Sequence, residues 1–256
     1  MFHVVSSSKG GVGKSTVSKE VIAPMLFARN GKKVKLLEID DNNQAAEMIS
    51  SVVDCRSFSV SSGIAETQKA LFEVFNNEDV VIDAGGGNDT NILLDSIGGL
   101  GIDDKCVFYI PVLKNKSGMK NLLDVYVRIR AKSDSRIIVI LNQAKSTDIP
   151  SLKNEFSYFF GDKNLNIVGA FAELFKDKNL GVATIHDTNV FDLAESYKLT
   201  AWEIGNEEVN QGKFLAEKQK EGYDAFNKGM AYINIYNLCK DYKEKTLDVF
   251  FKECEL

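Results

Sequence analysis

Short apolar runs alternate along the chain with longer segments of helical period. Residues 2–6, 33–39, 79–83, 105–110, 136–141 and 165–171 are apolar with little polar alternation. Such runs mark strands buried on both faces of a sheet. Between them, residues 15–29, 63–76, 117–131 and 152–160 carry apolar side chains at helical spacing. Asn30-Gly31 gives the first helix a C-cap signal, and Pro24 is expected to bend it or to sit where its missing N–H is tolerated. Pro111 is expected to close the strand at 105–110. Strand, helix, strand, repeated in this way, predicts an α/β fold: a doubly wound, mostly parallel sheet with helices on both faces. From about Asn206 the composition shifts to Glu, Lys, Asn and Gln, and residues 216–242 read as one helix with Tyr223, Phe226, Met230, Ile233 and Leu238 on its apolar side. The expected division is a sheet-bearing domain over 1–205 and a helical extension over 206–256, packing on that domain or on a partner.

Composition narrows the chemistry. With 256 residues, 44% hydrophobic and 26% charged, the chain is long enough to bury a core and too apolar for wholesale disorder. The net charge of −5 argues against a protein coated in nucleic acid but leaves room for a local basic face. Cys55, Cys106, Cys239 and Cys254 are far apart and only His3 and His186 are present, so cysteine or histidine metal sites are not expected. Reduced thiols and a cytoplasmic location follow as the simplest expectation. Lys9, Gly10 and Gly11 interrupt the N-terminus before a signal-peptide run forms, and no apolar stretch reaches the ~18 residues of a spanning helix.

The strongest chemical signal is Ser8-Lys9-Gly10-Gly11-Val12-Gly13-Lys14-Ser15-Thr16, set between a predicted strand and a predicted helix. Glycines let backbone N–H groups turn inward around phosphate oxygens, and the helix N-terminus adds partial positive charge. Lys14 can reach the terminal phosphates and the Ser15 hydroxyl can ligate Mg²⁺. KGGVGKST resembles the deviant Walker A motif of the ParA/MinD family of ATPases, over most of residues 1–204. The resemblance implies ATP and Mg²⁺ as cofactors, with Lys9, Gly10, Gly11, Val12, Gly13, Lys14, Ser15 and Thr16 around the nucleotide. It also implies that Lys9 reaches across a homodimer to the partner's phosphates, so that two chains sandwich two ATP molecules. Bottom-up, a second cation there would neutralise charge on the transferred group.

Glu38-Ile39-Asp40-Asp41-Asn42-Asn43-Gln44 ends the second strand. Relatives often carry Asp-x-Asp-Pro-Gln here; aligned on Gln44, Asp40 takes the first aspartate's place and is expected to contact Mg²⁺ or its water. Asn42 falls where the second carboxylate usually positions the attacking water. An amide can orient water but cannot take its proton, so slow hydrolysis is expected, unless Asp41 substitutes through a shifted loop. Asp83, at the end of an apolar strand, has the shape of a Walker B aspartate binding Mg²⁺ through water. Gly85, Gly86 and Gly87 follow, suiting a mobile switch near the γ-phosphate. Asn142 follows the strand at 136–141, where the family's asparagine reads adenine; on local sequence a turn asparagine fits equally well. Residues 191–195 and 200–203 resemble late segments of plasmid partition and stabilisation relatives, although helix packing explains them as well.

Residues 114–136 hold seven basic residues against two acidic ones. Lys120, Arg128, Arg130 and Lys132 are the candidate DNA contacts within this stripe; a solvated charged helix is the competing reading. The chain begins almost at its first strand, so no sequence-reading module is expected ahead of the phosphate loop, and DNA binding would be nonspecific. The tail 242–254 intersperses acidic residues with its lysines, which does not suit a membrane-surface helix, and helix packing or a partner surface is expected instead. The resemblance therefore implies a ParA-like ATPase switch for plasmid or DNA segregation. It would bind DNA in the ATP state, associate with the nucleoid and be stimulated by a ParB-like or other adaptor. A MinD-like positioning ATPase acting on a membrane or protein cargo is the alternative. A metal-delivery or reductase relative would need paired cysteines, which are absent. A small-molecule kinase or ligase of related fold would transfer phosphate to a substrate.

Overall fold

The computed structural model describes residues 1–39, 50–58, 63–75 and 79–254. In chain order the elements begin with β1 (Phe2–Val5) and a helix in three parts: α1 (Lys14–Thr16), a π-helical stretch (Val17–Ile22) and α2 (Ala23–Asn30). Then come β2 (Val34–Ile39), β3 (Val53–Phe58), α3 (Ile64–Glu73), β4 (Val80–Ala84), α4 (Asn88–Leu100), β5 (Cys106–Val112), α5 (Lys116–Arg130) and β6 (Arg136–Ala144). Next are α6 (Ile149–Glu155), α7 (Ser157–Phe160), α8 (Phe171–Leu174), β7 (Leu180–His186), α9 (Val190–Glu195) and α10 (Ala201–Asn206). The chain ends in α11 (Gln211–Glu221), α12 (Tyr223–Tyr242), a second π-helical stretch (Lys243–Leu247) and α13 (Asp248–Glu253).

Among the described residues the strands form one seven-stranded sheet in the order β3-β2-β4-β1-β5-β6-β7. Every pairing is parallel. The sheet has one apolar core on each face. One is built with α3, α4, α5 and the short helices α6 to α8. The other is built with the first helix, α9, α10, α12 and the C-terminal turns. The expected doubly wound sheet is therefore the fold observed. β1 lies between β4 and β5, where successive strands change side, so the loop after β1 opens into the crevice where such sheets bind ligands.

Several sequence expectations need correction. Residues 165–171 form no strand: Asp162 and Ile167 make an isolated antiparallel bridge, Asn166 has φ 52°, and Leu165 and Val168 point to solvent. The strand beside β6 is instead β7, whose run LGVATIH includes Gly181. β3 likewise escaped the reading, because VDCRSF alternates polar and apolar residues. Pro111 does not close β5 but lies inside it, beyond Tyr109, the last residue of β5 paired with β1. Its missing N–H costs no ladder bond on that side. The helix expected over 216–242 is two helices, broken at Gly222, whose φ of 117° an L-residue rarely adopts. Pro24 is accommodated by the π-helical winding just before it, a change of register that suits a missing amide donor.

Candidate functional site

The phosphate loop leaves β1 at Ser6, whose N–H donates to the Tyr109 carbonyl, and ends at the first helical turn. Gly11 and Gly13 have φ of 72° and 87°, left-handed values that glycine adopts without strain and that a phosphate-cradling loop requires. Lys14 is buried and its amine lies 3.2 Å from the Lys9 carbonyl, arched over the loop. Ser15 and Thr16 are exposed at the start of the helix, and Lys9 is exposed on the loop's crest with Gly10 and Gly11.

Asp83 lies next to this loop because β4 pairs with β1 in the register Val5↔Asp83. The Ser15 hydroxyl donates to the Asp83 carboxylate. The other carboxylate oxygen, Oδ1, is buried without a hydrogen-bond partner. Burial pushes Asp83 up to about 6, against the Ser15 hydrogen bond and the charge of Lys14, which favour ionisation. A buried carboxylate oxygen without a donor, beside a serine hydroxyl, fits a hydrated divalent cation, so these residues match Mg²⁺.

The three glycines after β4 lie against the phosphate loop. A Cβ on Gly86 would stand 2.8 Å from the Gly10 nitrogen, so this approach requires glycine. The Gly87 N–H donates to the Ser8 carbonyl at 3.2 Å. The Thr90 hydroxyl lies 2.9 Å from the Ser7 carbonyl and 2.8 Å from the Gly85 carbonyl, joining both loops to α4.

Sequence reasoning passed over Lys19, Glu38, Ser57 and Thr90. Glu38 stands opposite Asp83 in the β2–β4 register and is almost fully buried. Lys19, four residues after Ser15, places its amine 2.6 Å from Glu38 Oε1, and the Ser57 hydroxyl donates to Oε2 at 3.1 Å. The pair keeps two neighbouring buried carboxylates compensated beneath the phosphate loop. The available signal was a charged residue inside the otherwise apolar end of VKLLEI.

Asn142 is buried, and its amide donates to the Val12 carbonyl at 2.8 Å. Asn142 also lines a cavity of about 160 Å³, together with Gly13, Thr16, Gln143, Asp187 and Asp192. The expected carboxylate Asp40, with Asp41, Asn42 and Gln44, lies outside the described residues.

The basic stripe divides. Lys120 and Arg128 are exposed on α5. Arg130 is tied inward: it pairs with Asp177 at 2.5 Å, donates to the Ser135 carbonyl at 2.6 Å and packs over the Tyr126 ring. Lys132 reaches Asp95 at 2.7 Å and the Leu94 carbonyl at 3.3 Å. In the tail, Leu247, Phe250 and Cys254 are buried in the core. Among the described residues no helix is long and apolar enough to cross a membrane.

No family model matches the sequence, and no curated protein matches it. Solved structures are similar in fold. The ATP complex of a McdA variant from Cyanothece superposes with a TM-score of 0.52 at 12% identity, covering 95% of each chain. Apo McdA gives 0.51 at 14% identity, over 80% of this chain and 92% of that one. The cell division ATPase MinD of Pyrococcus furiosus gives 0.50 at 13% identity, over 91% and 98%. At these identities the likeness establishes the fold alone.

Proposed function

We propose that this chain is a ParA/MinD-type ATPase switch: it binds Mg-ATP, dimerises around it, hydrolyses it to ADP and phosphate, and acts in plasmid or DNA segregation. The observation that carries the reading is the buried Asp83 carboxylate, aimed at Ser15 beside a phosphate loop with Lys14 at its base. The loop's inward amides and Lys14 bind the phosphates, and the helix N-terminus adds its partial charge. Ser15 and Asp83 hold Mg²⁺, which supplies charge neutralisation at the β- and γ-phosphates. Lys9, exposed on the crest, reaches the nucleotide of a second copy. Asp40 organises the attacking water. The glycine loop at 85–87 senses the γ-phosphate and passes its state to α4 through Thr90. Turnover is slow and is stimulated by an adaptor protein. Residues 1–205 form the ATPase domain, and 206–256 an extension packed on it. The protein works in the cytoplasm, at the nucleoid.

DNA engages the exposed face of α5 through Lys120 and Arg128, a backbone contact without base readout. Arg130 supports this face through Asp177. The test is retention on nonspecific duplex DNA near physiological salt with ATP, with ADP and without nucleotide, alongside phosphate release. Retention with ATP alone, weakened about tenfold by Arg128→Ala, is the expected result. ATP hydrolysis without retention in any state removes DNA from the proposal and redirects it to a protein or membrane cargo.

A further inference from the structure

Two carboxylates and one amine meet on the sheet face that the first helix covers. Glu38 on β2 stands between Ser57 on β3 and Asp83 on β4, its register partners on the two neighbouring strands. Leu36 and Val81, two residues before each carboxylate, pack in the same core as Val17 and Val21 of the π-helical stretch. Side chains two apart on a strand share a face, so Glu38 and Asp83 both point toward that stretch, which carries Lys19. Both carboxylates are buried.

The Lys19 amine goes to one of the two. Its Nζ lies 2.6 Å from Glu38 Oε1. Its charge acts on Asp83 as well, yet Asp83 Oδ1 has no hydrogen-bond partner. Neighbouring strands lie ~4.8 Å apart, a gap that a lysine side chain swings across. What fixes the choice is the hold on Glu38. Ser57 donates to its Oε2 at 3.1 Å, and the Cys55 thiol donates to the same carboxylate. A partly buried ammonium pairs with a carboxylate within its reach, because leaving it unpaired is costly. Glu38, pinned from β3, therefore engages an amine that would otherwise fall to Asp83.

We infer that Glu38 is a positioning residue: it holds the Lys19 amine off Asp83 and so reserves the Asp83 carboxylate for a divalent cation. The inference rests on the Mg-ATP reading above. Glu38 acts here through Lys19 and not by ligation. Its loss therefore harms metal binding only while Lys19 is present, which a merely structural ion pair does not predict.

ATP affinity measured with Mg²⁺, and again with a chelator in its place, gives the metal-dependent gain as a ratio. Glu38→Gln keeps the shape and an acceptor for Ser57 but loses the charge. It is expected to cut the gain about tenfold without lowering metal-free ATP affinity. Adding Lys19→Met to that variant removes the amine and is expected to restore most of the gain; a buried ion pair replaced on both sides is commonly tolerated. Lys19→Met alone is expected to keep the gain while lowering the melting temperature, because Glu38 is left unpaired. Melting temperatures check that all three variants are folded. An unchanged gain in Glu38→Gln overturns the assignment. A gain lost in Glu38→Gln and still lost in the double variant overturns it too, since the site then needs the Glu38 carboxylate itself. Wild-type protein that binds no ATP, or binds it with no metal-dependent gain, overturns the Mg-ATP reading.

Discussion

The Asp83 carboxyl sits near 3.8 in an unfolded chain and is lifted to about 6 in the fold, chiefly by burial. Between those values the folded state binds more protons than the unfolded one, so stability falls as pH rises through this window. At neutral pH the ionised group costs on the order of 1–3 kcal/mol in the absence of a cation. Asp83→Asn removes that charge and keeps the shape. We expect it to raise the melting temperature in metal-free buffer by several degrees while abolishing the Mg²⁺-dependent gain in ATP affinity. A lower melting temperature would show that Asp83 is well compensated by Lys14 and carries no strain. The phosphate loop and Asp83 were legible because their chemistry is local: a strand, a turn of glycines and a helix start, or an aspartate ending an apolar run. Glu38 and Lys19 were not. Their meaning depends on the β2–β4 register, which places Glu38 opposite Asp83, and on a helix that returns Lys19 to 2.6 Å from it. Asn142 was singled out as a site residue, yet its bond to Val12 spans 130 residues and has no local signature.

At the scale of elements, the central strands β1, β2, β4, β5 and β6 were readable because both faces are covered and their sequences are almost continuously apolar. The edge strands β3 and β7 were missed for the complementary reason. Each pairs on one side only, and half-exposed positions dilute the pattern. The outer edge of β7 is capped by side chains from the C-terminal helices. Tyr242 donates to the His186 carbonyl at 2.9 Å, and the Glu253 carboxylate accepts the Thr184 N–H. Capping an edge in this way blocks further strand addition. The C-terminal helices can approach because α10 and α12 cross at Gly205, where a Cβ would lie 2.8 Å from the Cys239 carbonyl oxygen. That neighbour is helix backbone and cannot rotate away. Gly205→Ala should therefore cost about 1–3 kcal/mol, read as a lower urea midpoint with an unchanged slope. An unchanged midpoint would mean that α10 slides freely against α12, and that this crossing does not hold the C-terminal helices in place.

Across the whole molecule, Glu20 joins the phosphate-loop helix to the C-terminal layer. It lies in the π-helical stretch six residues after Lys14, is 5% exposed, and accepts the Ala201 N–H at 2.8 Å at the start of α10. Burial pushes its carboxyl up to about 8; the Ala201 bond pulls it down, Glu203 and Glu195 push it further up, and Lys19 partly offsets them. The unfolded carboxyl sits near 4.5, so between there and about 8 the folded state holds the extra proton. Stability from this group is complete below the unfolded value and is lost as pH rises toward 8. Asp79 has the opposite sign: hydrogen bonds from His3, Arg29 and Asn30 hold it well below the usual carboxylate range, and its contribution is lost only in acid. A wild-type pH profile mixes these effects, so the informative quantity is a difference. Glu20→Gln keeps the shape and the acceptor for Ala201 but cannot ionise. Unfolding free energies of both proteins, measured from pH 5 to 8, should diverge in favour of the variant as pH rises, by up to about 1.4 kcal/mol per unit. Parallel profiles would mean that Glu20 ionises normally inside the fold. The helix after the phosphate loop and the C-terminal helices would then be joined by a charged contact, and mild alkali would leave that joint intact.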